Sequence, residues 1–128
     1  NLETAIRRLD KRDQAIAHLW LGQAGAALDV ALRSEAIAGP GPKSSFTVAF
    51  AYKELGRIDD AAERLLWALE RAPTDGNLLK LQVMMLGDHP DPEGYRAWLD
   101  GQLALPEYAR AAGAIRPLME DPGILGGE

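Results

Sequence analysis

The stretch KSSFTVAFAYKELG, residues 43–56, continued by RIDDAAERLLWALERAP, residues 57–73, decides the fold. It reads as two helices. The first runs from about Lys43 to Leu55, and Gly56 stands where a left-handed residue ends a helix. The second is expected to open at Asp59 and Asp60, whose carboxylates can cap free amides, with Asp60 and Glu63 at the spacing of a capping box. It stops before Pro73, which has no amide to donate. Two helices lie close only where side chains are small. Ala49, Ala61 and Ala68 supply those contacts, and Tyr52, Leu65 and Leu69 supply the bulk between pairs.

Outward from this core the same grammar continues. Leu2, Ile6, Leu9, Ile16, Leu19 and Trp20 recur mostly three or four apart, so residues 2–23 are expected to form one long helix or two short ones. After a break at Gly22–Gly25, Ala27, Leu28, Ala31, Leu32 and Ile37 mark a helix that must end at Gly39-Pro40-Gly41-Pro42. Downstream a helix spans about Gly76–Leu86. Asp91 then caps another that starts with Pro92 at its first position. A last helix of about ten residues follows Glu107 and fades into a tail near Pro117 and Pro122.

Composition agrees with an all-α chain: among 128 residues, 21 alanines and 19 leucines face only 3 valines, 6 isoleucines and 3 threonines. No cysteine is present, which removes disulfides, cysteine zinc sites and thiol catalysis. The net charge of −5 is uneven, with +1 over residues 1–43, −1 over 44–73 and −5 over 74–128. The densest basic run, Arg7, Arg8, Lys11 and Arg12, is interleaved with Asp10 and Asp13, so it is a solvated helix face and not a nucleic-acid footprint. No apolar run approaches the length of a membrane span, so no membrane insertion is expected. The first residue is Asn1 and not methionine, which fits a processed product or a piece of a longer protein; the cytoplasm is the favoured compartment. Arginine in excess of lysine, with abundant alanine, suits a bacterial origin.

The middle of the chain resembles a tetratricopeptide repeat. Tyr52, Gly56, Ala61, Leu65, Ala68 and Pro73 all stand at that family's spacing, Val48 and Ala49 stand in for its Leu-Gly, and Ser45 occupies its tryptophan position. A step of about 34 residues upstream maps Gly56 to Gly22, Ala61 to Ala27 and Ala49 to Ala15, while His18 replaces Tyr52. A step downstream fits less well, because Leu86, Pro90 and Tyr95 replace the tyrosine, glycine and alanine. The resemblance implies a single domain over residues 1–128, a right-handed superhelix of antiparallel helix pairs, with repeat-like units at about 8–41, 42–75 and 76–103. Residues 104–128 would form a capping helix and tail.

It also implies where a partner binds. In such arrays the first helix of each pair lines a concave face, which places Arg12, Ile16, Leu19 and Trp20, then Lys43, Phe46, Phe50 and Lys53, then Asn77, Lys80 and Met84 along one groove. Aromatic anchors beside basic residues suit an acidic or amphipathic peptide or helix. Phe46 and Phe50 stand where the chaperone-binding branch of the family is polar, so that branch's grip on a terminal carboxylate is not matched. The same aromatic residues could instead pack against the N-terminal helix or the C-terminal tail.

Sites of chemistry are weakly signalled. Gly39-Pro40-Gly41-Pro42-Lys43-Ser44 has the outline of a phosphate loop, yet its prolines delete two of the amides that such a loop aims at phosphate. Asp88-His89-Pro90-Asp91-Pro92 gathers two carboxylates and an imidazole, which a turn and a helix cap explain without a metal. Two separated histidines and the serines at 34, 44 and 45 give no nucleophile and base pairing. No catalytic residue, metal or cofactor is expected, and the function expected is non-catalytic partner binding. The alternatives are an accessory helical region of a larger enzyme, such as a transferase or oxygenase, or a self-associating scaffold.

Overall fold

The computed structural model describes residues 22–120. These are all-helical, with no strand among them. Six α-helices follow one another: α1 (Ala24–Ala38), α2 (Pro42–Glu54), α3 (Ile58–Arg71), α4 (Gly76–Asp88), α5 (Pro92–Leu103) and α6 (Ala109–Glu120), with a 3-10 turn at Pro106–Tyr108 before α6. The helix expected over residues 2–23 lies outside the described residues except for Gly22 and Gln23, which form the turn before α1. The chain divides into two compact units, residues 1–64 and 65–128, and the divide falls within α3.

In the first unit α1 packs on α2. Their shared core is built from small side chains, Ala27, Leu28, Ala31, Val48 and Ala51, with Val30 and Tyr52 against its edge. Ala49 and Ala61 are also buried, as the close-approach argument requires. Gly56 has φ +80°, so the residue that ends α2 takes the left-handed geometry that its position predicted. The guanidinium of Arg57 lies 4.4 Å over the Tyr52 ring and covers its exposed side.

In the second unit α4 packs on α5 and α6, and the 3-10 turn rests on α5 and α6. Buried residues here include Leu65, Leu66, Ala68 and Leu69 of α3, Leu78, Leu81 and Met85 of α4, Leu99 and Leu103 of α5, and Ala111 and Ile115 of α6. Asp75 caps α4 through the amides of Asn77 and Leu78 at 2.9 and 3.1 Å. Asp91 caps α5 through the amide of Gly94 at 3.1 Å, with Pro92 at the helix start as expected.

Three boundaries differ from the sequence reading, each for a physical reason. Gly25 lies within α1 and not in a break, because the chain turns earlier, at Gly22. α3 begins at Ile58, which places Asp59 and Asp60 in its first turn instead of at its cap. There their charges face the positive end of the helix dipole, and Asp60 pairs with Arg57 at 2.9 Å. The last helix is longer than expected and passes through Pro117 to Glu120. Ile115 and Met119, both buried, hold the turn that the proline weakens.

Candidate functional site

The surface with the clearest interaction chemistry is one side of α2. At 100° per residue, Lys43, Phe46, Phe50 and Lys53 fall within an arc of about 80°. Lys43 is exposed, and Phe46, Phe50 and Lys53 are half-buried. The two rings meet at 5.8 Å between centroids with a 57° tilt, a favourable aromatic geometry at i, i+4. Neither lysine forms an ion pair or hydrogen bond with another described residue. Ser45, Val48, Ala49 and Ala51, on other parts of the circumference, are buried. The segment therefore spends its small residues on packing and leaves its two phenylalanines at the solvent boundary.

Of the remaining residues expected to line a groove, Asn77, Lys80 and Met84 lie on α4, in the second unit. They share an arc of about 60° and all three are exposed. Arg12, Ile16, Leu19 and Trp20 lie outside the described residues.

A polar cluster that sequence reasoning missed sits within the first unit. Glu35 of α1 is buried, and its Oε2 accepts from Arg64 Nη1 at 2.6 Å and from Ser44 Oγ at 2.5 Å. Ser44 Oγ in turn accepts from the Gly41 amide at 3.1 Å, half of a capping box at the start of α2. Ser45, fully buried, donates to the Gly41 carbonyl at 2.7 Å and accepts from Arg64 Nη1 at 3.4 Å. A residue this small leaves room for the guanidinium beside it. Each of these side chains is engaged by another member of the cluster or by the Gly41 backbone. The cluster's role is to tie α1, α2 and the start of α3 together.

The second unit carries two further polar arrangements. Gln82 Nε2 donates to the Tyr95 hydroxyl at 2.8 Å in a buried pair. Burial pushes the Tyr95 phenol up to about 12, against the opposing effect of that hydrogen bond. His89 stacks on Tyr95 at 4.8 Å, and its Nδ1 accepts from the Asp91 amide at 2.9 Å, so the His-Pro-Asp-Pro loop is a structured turn. A recess of about 370 Å³ is lined by Trp67, Glu70, Arg71, Glu107, Tyr108 and Arg110. Glu70 already serves the fold there, its Oε1 accepting from the amides of Arg110 and Ala111 at 2.9 and 3.0 Å. Arg71 is laid over the Trp67 ring at 3.8 Å and donates to the Trp67 carbonyl. Two arginines and two glutamates give that recess no dominant sign.

Among the described residues no group of three or more histidine, aspartate or glutamate side chains could hold a metal ion. None of the described helices is long and apolar enough to cross a membrane. No protein-family model, curated protein or solved structure matches the chain.

Proposed function

We propose that this chain is a non-catalytic interaction module that holds a partner peptide or helix on the Lys43, Phe46, Phe50 and Lys53 side of α2, within a tetratricopeptide-like superhelix of helix pairs. One observation carries the reading. Phe46 and Phe50 stay partly exposed on a helix whose buried positions are taken by Ser45, Thr47, Val48, Ala49 and Ala51. Burying a phenylalanine side chain outright is worth about 1.5–3 kcal/mol, and each ring here keeps at most about a third of its surface open, so a partner that covers both gains about 1 kcal/mol from them. The repeat-like part of the reading draws support from the left-handed Gly56 and the buried Ala49, Ala61 and Ala68.

A peptide array of amphipathic helices, with each hit titrated by fluorescence anisotropy, tests the proposal. Phe50→Ala is expected to weaken binding about 3- to 10-fold, the share of one ring still open to a partner. The proposal fails if every hit binds the variant as tightly as the wild type while circular dichroism reports an intact helical fold. Lys80→Ala and Met84→Ala report whether the α4 stripe belongs to the same surface.

A further inference from the structure

The α2 side reads the same in both directions: Lys43, two residues, Phe46, three residues, Phe50, two residues, Lys53. On a helix this is a symmetry of backbone position as well as of spelling, with Lys43 exposed and Lys53 half-buried at its two ends. Reversal about Val48 exchanges Lys43 with Lys53 and Phe46 with Phe50, both in height along the axis and in angle around it. The lysines stand about 15 Å apart along the axis and the rings about 6 Å apart. We infer that the occupant of this face is an acidic amphipathic helix carrying the complementary spacing, acid-x2-apolar-x3-apolar-x2-acid, and that it docks in either chain direction.

The charge of the occupant follows from the two lysines. Both flank the apolar pair, and neither is neutralised by a described neighbour. A basic or neutral helix would leave two ammonium groups at the rim without a partner, whereas an acidic one pairs each of them as it covers the rings. A second copy of this chain fits poorly at the same face. Because the array is symmetric, a parallel or an antiparallel α2 brings lysine against lysine at both ends. Direction is the less usual consequence. A groove whose anchors are asymmetrically spaced is read one way, and these anchors are symmetrically spaced.

The inference rests on the assignment of the partner site to α2, and the experiment separates the two. The probe is an acetylated and amidated helical peptide with Glu-x2-Leu-x3-Leu-x2-Glu. It is compared with an isomer whose glutamates sit on the opposite face and with a version in which lysines replace them, all against the full chain. The matched peptide is expected to bind about tenfold tighter than the isomer, since two rim ion pairs are involved. Lys43→Glu with Lys53→Glu is expected to transfer the preference to the lysine peptide. A spin label at the peptide's N-terminus is expected to broaden the amide resonances of both Lys43 and Lys53.

If all three peptides bind alike and Phe46→Ala with Phe50→Ala abolishes binding, the site stands and the acidic occupant is overturned. Broadening at one end only overturns the two-way docking. Sedimentation that shows a dimer lost in Phe50→Ala makes a second copy the occupant and overturns the inference. The absence of any binding sensitive to the two phenylalanines overturns both the inference and the site.

Discussion

Tyr95→Phe removes one oxygen from the second unit and leaves the ring. Tyr95 is 5% exposed and Gln82 is 1% exposed, with 2.8 Å between the hydroxyl and Nε2. Without the hydroxyl, the Gln82 amide keeps a donor that neither protein nor water can reach. A buried donor left unpaired costs about 1–3 kcal/mol, whereas the cavity left by one oxygen is small. The variant is therefore expected to lose about 1–2 kcal/mol, or about 3–10 °C in Tm. Gln82→Met should cost a similar amount by leaving the Tyr95 hydroxyl unpaired. The double variant should then recover about 1 kcal/mol relative to the sum, because both polar groups are gone together. Urea unfolding followed by circular dichroism measures all three. Additivity within about 0.3 kcal/mol would refute the coupling, and with it the claim that this pair organises the core of the unit.

The same residue sets a pH dependence: the unfolded chain loses the Tyr95 proton near 10.0 and the folded chain near 12, so stability is fully present below pH 10 and falls as pH rises between those values. At about 1.4 kcal/mol per unit the loss approaches about 3 kcal/mol, and parallel alkaline unfolding curves for wild type and Tyr95→Phe would contradict it. A Cβ on Gly94 would collide with Asp91 Oδ2, inside the cap of α5, while a Cβ on Gly101 meets nothing within 4 Å. Calorimetry should accordingly find Gly101→Ala stabilising by about 0.5–1 kcal/mol and Gly94→Ala destabilising by a similar amount, the reverse of helix propensity. Glu70→Ala removes the acceptor for the Arg110 and Ala111 amides and should cost about 1–2 kcal/mol in thermal unfolding, with Glu70→Gln milder because an amide oxygen still accepts.

What could be read from the sequence was local. Gly56 at the end of α2 and Asp91-Pro92 at the start of α5 act through geometry that each residue carries with it, so position alone identifies them. Pro117 carries an equally local signal, and there it is outweighed: Ile115 and Met119 are buried, and their packing continues α6 past a residue that disfavours it. Asp59 and Asp60 show how small the margin is, since a helix start one residue earlier turns caps into first-turn charges. At the candidate site, Phe46 and Phe50 were legible because a helical period places them on one side. The Glu35 cluster was not, because Ser44 and Arg64 lie 9 and 29 residues from Glu35 in the chain. Its one local trace was Ser45, a small polar residue where the repeat pattern calls for tryptophan.

That cluster also bears on how binding and stability divide in the first unit. Ser44 and Ser45 project from α2 about 140° and about 120° around the axis, in opposite senses, from the centre of the Phe46 and Phe50 side. The groups that anchor α2 are thus on the opposite arc from those assigned to the partner, and variants on the two arcs should separate. Arg64→Met strands the carboxylate of Glu35, whose side chain is 7% exposed, and should cost about 2–4 kcal/mol. Glu35→Met added to it should recover most of that loss, since no charge then remains in the core. Peptide affinity, measured well below the unfolding transition of each variant, should stay within about twofold of wild type. Phe50→Ala should lower affinity as well as stability, because its ring meets both the fold and the partner side. If Arg64→Met, still folded by circular dichroism, lost peptide affinity as Phe50→Ala does, the two arcs would be one coupled surface, and the Glu35 cluster would belong to the binding site.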